Sequence, residues 1–455
     1  MQKLIIPVFF LFVSIFSSAQ DRVLEKALDS ALTKNFKPKE PGIGVFAARK
    51  GQIIYQKAFG SANIELDVPM QPGMVFKVGS ITKQFTAIAI LQLVEQGKLS
   101  LQDSVQKFVP GFPWKGHTVT IEHLLTHTSG IKDYMTIDHP DPFIERHDLA
   151  PDYIIDHFKN APLEFEPGTK YNYTNSGYVL LGKIIETASG QSYHDYMKQH
   201  VIDRAGLKHT IYANENKIIP KRVAGYTRDN GFYENAYYQS MSLGFAVGDL
   251  LSTLPDLFQW TKAVWENKLV KKELLQKAVT PYRLKNGGQT NYGYGWLLDS
   301  LYARRCIYHA GQVNGFIAFE WYFPDEDVFV SLFTNVKSGE DQTSFSGDRF
   351  QLFFNIPFIV FGNKVPQEVA LTSAVLESYT GTYDLDGRKF IVDRKNDRLY
   401  LDVGKPVALH ALSETSFFLP GVPSAVTLQF IKDKSGKVTG MNVWQNGLYE
   451  WKKVK

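Results

Sequence analysis

The chain has 455 residues and a formal net charge of +4, with 44% hydrophobic and 14% aromatic residues. This composition is typical of globular proteins and excludes a disordered or fibrous chain, and the length suggests two or three domains. Lysine and arginine form no long basic run, so we expect no nucleic-acid partner.

The N-terminal segment has the pattern of a secretory signal peptide. Lys3 supplies a positive charge, residues 4–16 are apolar, and Ser17-Ser18-Ala19 offers small residues for cleavage. The apolar run is short for a bilayer span. We therefore expect residues 1–19 to be removed and the mature protein to be exported, periplasmic or secreted, without a membrane span. The single cysteine, Cys306, excludes an internal disulfide.

Strand patterns stand at both ends of the first 365 residues, and helical patterns lie between them. An N-terminal hairpin is predicted over residues 42–48 and 52–59, and later strand-like runs cover 305–308, 315–323 and 328–334. The apolar residues 350–361 predict a closing helix that contains Pro357. The pattern indicates an α/β (α+β) domain, residues 20–365, whose antiparallel sheet is flanked by helices and interrupted by a helical lobe. Within the lobe, the polar and aromatic residues 132–160 suggest a lid.

Ser80 and Lys83 form the first candidate catalytic pair. A turn containing Gly79 precedes Ser80, and apolar residues follow at helical spacing, so Lys83 lies one turn later on the same face. A serine needs an adjacent base to act as a nucleophile, and burial can make a neutral lysine available. The same spacing at Ser104/Lys107 and Ser129/Lys132 is explained by a solvated turn and by a glycine interruption.

Two later motifs offer partners for Ser80. Tyr173 and Asn175 follow a turn and precede a helix, where the tyrosine can move a proton and the amide can orient a substrate. His309 and Gly311 begin a predicted strand; the histidine, cationic or hydrogen-bonding, can hold a substrate carboxylate. Gly311 permits close approach, and the N–H of Gln312 can donate to an oxyanion.

His123 and His127 are spaced four residues apart on a predicted helix, as zinc ligands often are. The glutamate of a zinc protease motif is missing between them, and no third ligand is evident. We therefore favour helix-end hydrogen bonding for these histidines and predict neither a metal nor another cofactor.

From residue 366 onward the pattern changes to short alternating runs separated by polar turns. Seven runs indicate strands, at residues 382–383, 390–392, 399–403, 407–409, 417–418, 427–431 and 438–444. This pattern predicts an all-β, barrel-like domain over residues 366–455.

Taken in order, the motifs Ser80-Lys83, Tyr173-Asn175 and His309-Gly311 resemble those of the serine β-lactamase and penicillin-binding protein superfamily. The similarity covers about residues 25–360 and is greatest to class C β-lactamases and the related D-alanyl-D-alanine carboxypeptidases, D-aminopeptidases and esterases. Five further stretches agree, at residues 124–130, 165–168, 178–182, 251–253 and 292–296. The last domain resembles the β-barrel often appended to such hydrolases.

The resemblance implies a role for each motif. Ser80 would be acylated, Lys83 would be its base or proton relay, and Tyr173 would be a second general acid and base. Asn175 and His309 would bind substrate, His309 alternatively helping proton transfer, and the N–H groups of Ser80 and Gln312 would form the oxyanion hole. Lysine and tyrosine both remain open as the acylation base.

The resemblance implies a peptide, amide or ester substrate, with cell-wall peptides among the candidates, and leaves the oligomeric state open. Many β-lactamases carry Lys-Thr-Gly where this chain has His309-Ala310-Gly311, and histidine is a weaker carboxylate anchor at neutral pH. We therefore expect a serine hydrolase that acts on D-amino-acid peptides, amides or small esters rather than an efficient β-lactamase. The alternatives are a penicillin-binding-like sensor or binding protein without turnover and, less favoured, a β-lactamase or a non-enzymatic scaffold.

Overall fold

A computed structural model describes the chain in ten ranges: residues 8–213, 217–229, 231–301, 304–338, 348–363, 368–385, 387–404, 406–419, 426–444 and 448–454. The predicted domain boundary between residues 365 and 366 and the predicted charge at Lys3 lie outside these ranges. The chain divides into two compact units, which are Met1–Ala31 with Asp299–Arg305 and Asp341–Lys455, and Leu32–Leu298 with Cys306–Glu340.

The helices are numbered in chain order. They are α1 Val8–Asn35, α2 Thr82–Glu95, α3 Ile121–Leu125, α4 Pro151–Phe158, α5 Asn175–Ser189, α6 Tyr193–Tyr196, α7 Asp203–Ala205, α8 Leu254–Trp265, α9 Lys272–Ala278, α10 Asp348–Val360 and α11 Ser373–Tyr379. The predicted closing helix around Pro357 is thus confirmed as α10. No helix in the described ranges combines the length and the apolar character needed to cross a bilayer.

In the described part of the chain, fourteen strands precede the C-terminal barrel. They are β1 Ile43–Arg49, β2 Gln52–Phe59, β3 Ser61–Asn63, β4 Val68–Pro69, β5 Phe76–Lys77, β6 Ile211–Tyr212, β7 Tyr226–Asp229, β8 Phe232–Asn235, β9 Leu250–Ser252, β10 Leu297–Leu301, β11 Arg304–Val313, β12 Phe316–Phe323, β13 Val328–Thr334 and β14 Val336–Ser338.

The main sheet has six strands in the order β10-β11-β12-β13-β1-β2. The predicted hairpin is confirmed as β1 and β2, joined where Lys50 and Gly51 adopt positive φ. Antiparallel pairing of β1 with β13 joins the N-terminal hairpin to the later strands, as expected. The sequence missed β10 and placed His309 at the start of a strand, whereas it lies inside β11.

Helix α2 is the central helix of the larger unit. Every residue from Thr82 to Leu93 is buried, so the helix is surrounded by protein on all faces. Phe85 stacks on Trp260 of α8 with ring centroids 3.7 Å apart. Helix α8 in turn packs on the sheet through Phe258, which contacts Phe46 and Phe329. The Ser80 turn is therefore attached to an element that the core holds on every side.

The C-terminal strands close into an eight-stranded antiparallel barrel, which confirms the predicted all-β, barrel-like fold. They are β15 Gly381–Leu385, β16 Arg388–Lys395, β17 Arg398–Asp402, β18 Pro406–Ala411, β19 Ser416–Leu419, β20 Val426–Lys432, β21 Val438–Trp444 and β22 Leu448–Lys453. Pairing of β15 with β22, a strand that the sequence pattern did not predict, closes the barrel and leaves no free sheet edge. Tyr379, Tyr383 and Phe430 lie in its core.

Candidate active site

Ser80 lies in a short turn between a small sheet and the central helix. Strand β5 pairs with β9, and the N–H of Val78 donates to the carbonyl of Leu250 at 3.1 Å. Gly79 then adopts a φ of +52°, and a 3-10 turn over Gly79–Ile81 leads directly into α2. Ser80 was predicted at the start of a helix. In the structure it lies in this turn, two residues before Thr82, the first residue of α2.

Lys83 is fully buried beneath Ser80. Its Nζ lies 3.1 Å from Ser80 Oγ, 2.9 Å from Asn175 Oδ1 and 3.2 Å from the carbonyl oxygen of Val247. The amide oxygen of Asn175 and the carbonyl of Val247 can only accept hydrogen bonds. A neutral lysine has two N–H donors, and these two acceptors take both. Its lone pair is then left for the hydroxyl proton of Ser80.

The charge state of Lys83 suits this arrangement. Burial lowers the pKa of Lys83 from 10.5 to about 7, and the negative charge of Asp133 opposes that shift. About half of the molecules therefore carry a neutral Lys83 at pH 7. A buried, neutral amine in contact with a serine hydroxyl is a competent general base.

Asp133 fixes the orientation of the Asn175 amide. The Asp133 carboxylate accepts from the backbone N–H of Asn175 at 3.0 Å and from its side-chain Nδ2 at 2.9 Å. Because Nδ2 faces this carboxylate, Oδ1 must face Lys83. Sequence analysis missed Asp133, which lies within the predicted lid; its position one residue before Tyr134, which begins a short 3-10 helix, carries no local catalytic signal.

Tyr173 approaches Ser80 from the segment before α5. Burial raises the pKa of Tyr173 above its ordinary value, and the Ser80 side chain opposes that shift. Lys83 Nζ lies 4.9 Å from the centroid of the Tyr173 ring. The structure thus brings Ser80, Lys83, Tyr173 and Asn175 together, although Asn175 is 92 residues from Lys83 along the chain.

Strand β11 passes so close to the Ser80 turn that only glycine fits at two places. A Cβ on Gly311 would lie 1.8 Å from the carbonyl oxygen of Val78 and 3.2 Å from the backbone nitrogen of Ser80. A Cβ on Gly79 would lie 2.7 Å from the backbone nitrogen of Gln312. The backbones that carry the N–H groups of Ser80 and Gln312 therefore run side by side, as an oxyanion hole requires.

His309 is buried and hydrogen-bonded on both ring nitrogens. Nδ1 lies 2.6 Å from the carbonyl oxygen of Ala310, which can only accept, so Nδ1 carries the proton and Nε2 accepts from the hydroxyl of Tyr292 at 2.9 Å. Burial and then the charge of Lys83 lower the pKa of His309 to about 3. The ring is neutral at physiological pH, which removes the cationic form that the sequence left open as a carboxylate anchor.

His123, in helix α3, and His127, just after that helix, each accept a hydrogen bond from a backbone N–H group. His123 Nδ1 accepts from the N–H of Thr120 as part of a capping box at 3.2 Å, in agreement with the helix-end hydrogen bonding predicted for it. His127 Nδ1 accepts from the N–H of Thr174, also at 3.2 Å. The described residues contain no group of three metal-ligating side chains.

Comparison with known proteins identifies the family of the chain. Residues 21–347 match the Beta-lactamase family. The chain is 32% identical to "Penicillin-binding protein 4*" of Bacillus subtilis over 82% of its own length and 87% of that protein. It is 27% identical to a D-aminopeptidase of Gluconobacter oxydans over 70% of its length, covering 60% of that enzyme.

A solved structure extends the similarity to most of the fold. The octameric penicillin-binding protein homologue from Pyrococcus abyssi superimposes with a TM-score of 0.64 at 28% identity, covering 94% of this chain and 99% of that one. The family match, the shared fold and the assembled Ser80 site lead to one conclusion: the chain belongs to the Beta-lactamase family.

Proposed function

We propose that the protein is a serine hydrolase that cleaves amides or peptides of D-amino acids, or small esters, through an acyl-enzyme on Ser80. The observation that carries this proposal is the contact at 3.1 Å between Ser80 Oγ and Nζ of the buried Lys83, with both N–H donors of a neutral Lys83 already occupied. A binding role alone has no use for a base held against the serine.

In the acylation step, Ser80 Oγ attacks the substrate carbonyl carbon and its proton passes to the lone pair of Lys83. The carbonyl oxygen becomes an oxyanion, which the N–H groups of Ser80 and Gln312 stabilise. Removing one such donor typically costs on the order of a hundredfold in rate or more. Asn175, fixed by Asp133, presents its amide beside the reacting centre and is placed to orient the substrate.

Collapse of the tetrahedral intermediate requires a proton for the leaving group. Tyr173 lies beside Ser80 and Lys83 and can pass a proton to the departing amine or alkoxide while it recovers one from Lys83. Water then attacks the acyl-serine with the same groups acting in reverse, which releases the acid and restores the Ser80 hydroxyl. His309 accepts a hydrogen bond from the Tyr292 hydroxyl, which holds its ring in place beside the site.

The substrate class rests on the relatives and on the charge of the site. One curated relative is a D-aminopeptidase, which supports peptides or amides with a D-residue. The neutral His309 offers no positive charge to the carboxylate of a β-lactam, so antibiotic hydrolysis should be slow. Small esters need less leaving-group protonation and remain reasonable substrates.

Intact-mass analysis after exposure to a fluorophosphonate tests the proposal. The reagent forms a bond between Ser80 Oγ and phosphorus while fluoride departs, so wild type should gain one adduct and Ser80→Ala none. Ser104→Ala is the matched control, because Ser104 has the same spacing to Lys107 but lies in a turn where Lys107 pairs with Asp103. An adduct that persists in Ser80→Ala, or a folded wild type that forms none, would contradict the proposal.

A second candidate is a penicillin-binding protein that acylates without turnover, favoured by the 32% identity to "Penicillin-binding protein 4*". Pre-steady-state measurement with an amide of D-alanine separates the two. Continued product release after the first turnover supports the hydrolase, whereas a burst of one equivalent followed by no release supports the binding protein.

We also propose that the mature protein is exported after cleavage at Ala19. The sequence pattern of residues 1–19 supports this. N-terminal sequencing of protein recovered outside the cytoplasm should start at Gln20, and an unprocessed N-terminus there would refute cleavage.

A further inference from the structure

His127 lies against Tyr173 at the end of helix α3 and is fully buried. Its φ is +56°, a left-handed conformation that is unfavourable for most residues with a side chain and that asparagine and glycine adopt more readily. Such strain persists only where surrounding contacts hold it in place, and it often marks a functional position.

His127 accepts hydrogen bonds from the residues immediately before and after Tyr173. The carbonyl oxygen of His127 accepts from the N–H of Asn172 at 2.9 Å, and its Nδ1 accepts from the N–H of Thr174 at 3.2 Å. Residues 171–174 belong to no helix or strand, so no ladder of backbone hydrogen bonds holds Tyr173. The residues on either side of Tyr173 are instead bonded to this single histidine.

The imidazole also packs on the Tyr173 side chain. The two ring centroids are 4.2 Å apart with an interplanar angle of 35°, and the rings of Tyr178 and Tyr292 lie 5.1 Å and 4.6 Å away. Backbone and ring contacts therefore act on the same residue, fixing both the chain segment and the plane of the Tyr173 ring.

The hydrogen bonds also settle which nitrogen carries the proton. Because Nδ1 accepts from an amide, the neutral ring is protonated on Nε2, and no partner for Nε2 is found among the described residues. Burial, reinforced by the charge of Lys83, holds the pKa of His127 well below its ordinary value. A protonated ring would also lose the acceptor that Thr174 uses. His127 is thus placed to hold geometry and not to carry protons.

We propose that His127 is the positioning residue of Tyr173, and that it contributes to acylation of Ser80 only through the placement of the Tyr173 hydroxyl. This inference rests on the proposed acyl-enzyme function. Its distinctive consequence is that the acceptor at Nδ1 matters more than the aromatic ring, because the unpaired, buried N–H of Thr174 would otherwise be costly.

Two substitutions separate these features. His127→Asn keeps an acceptor close to the position of Nδ1 and tolerates the positive φ, whereas His127→Phe keeps a ring of similar size under the same strain and has no acceptor. The second-order rate of fluorophosphonate labelling should stay within about threefold of wild type in His127→Asn and fall at least about tenfold in His127→Phe. His123→Asn, in the helix that precedes His127 but outside the Tyr173 contacts, is the control and should leave the rate unchanged.

A double-mutant cycle with Tyr173→Phe provides the readout that a merely structural role would not produce. If His127 acts through Tyr173, adding His127→Phe to Tyr173→Phe should slow labelling by less than about twofold. Multiplicative losses, wild-type labelling in His127→Phe, or equal losses in the Asn and Phe variants would each overturn the inference. Thermal unfolding of each variant verifies that labelling is measured on folded protein. Wild type that forms no Ser80 adduct would instead overturn the proposed function, and the positioning role with it.

Discussion

The rate of Ser80 acylation should follow the ionisation of Lys83. With a pKa of about 7, the neutral fraction of Lys83 rises from about 9% at pH 6 to about 91% at pH 8. The labelling rate should therefore increase about tenfold over this interval and level off above it. A lysine with the ordinary pKa of 10.5 would instead give about a hundredfold rise in the labelling rate from pH 6 to pH 8, with no plateau.

Fluorophosphonate labelling measured from pH 5.5 to pH 9.5 distinguishes these profiles, after subtraction of the hydrolysis of the free reagent. Lys83→Arg is the matched perturbation, because arginine keeps a cation and N–H donors but stays protonated. It should lower the plateau rate by on the order of a hundredfold or more and remove the break near pH 7. A wild-type rate that still climbs steeply above pH 9, or a break that survives in Lys83→Arg, would refute the assignment of Lys83 as the base.

Substitutions of Asp133, Gly311 and Glu320 test the electrostatics and the packing around the site. Asp133→Asn removes the negative charge that raises the pKa of Lys83, so the break in the same pH profile should move to lower pH. Gly311→Ala places a Cβ where only 1.8 Å separates it from the carbonyl of Val78, and we expect labelling to fall at least about a hundredfold, measured by intact mass. Burial raises the pKa of Glu320 from 4.5 to about 8. Between these two pH values the folded protein keeps a proton on Glu320 that the unfolded chain has released, so the free energy of unfolding falls as the pH rises from 4.5 to about 8. Urea unfolding should show that Glu320→Gln gains roughly 2 kcal/mol relative to wild type between pH 6 and pH 8.

For each of these three substitutions, a control variant or a contrary result would refute the expected effect. Asp138→Asn, at an exposed position of the same segment, is the control for Asp133, and an equal shift in both variants would argue against a local charge effect. Gly73→Ala introduces a Cβ into open space, and a matching loss there would show that the Gly311 effect is not a clash. A constant difference between Glu320→Gln and wild type across pH would mean that Glu320 is already ionised when folded.

Local sequence was sufficient for features that depend on neighbours along the chain. Helical spacing put Lys83 one turn after Ser80, alternation and a glycine turn located the β1–β2 hairpin, and the C-terminal pattern indicated an all-β domain. Short-range spacing fixes which side chains share a face, so these predictions needed no knowledge of the fold. The same reasoning missed β10, β22 and the strands β3 to β9 and β14, because these segments are defined by pairing with distant strands and not by a pattern of their own.

Tertiary structure decided the chemistry of the site. Burial makes His309 neutral near physiological pH and brings the pKa of Lys83 into that range, and desolvation depends on the whole surrounding core and not on flanking residues. Asp133 became part of the site only because folding places its carboxylate on the Asn175 amide, and His127 because its turn meets the segment of Tyr173. The sequence determined which groups were available, and packing determined their charge, their orientation and their partners.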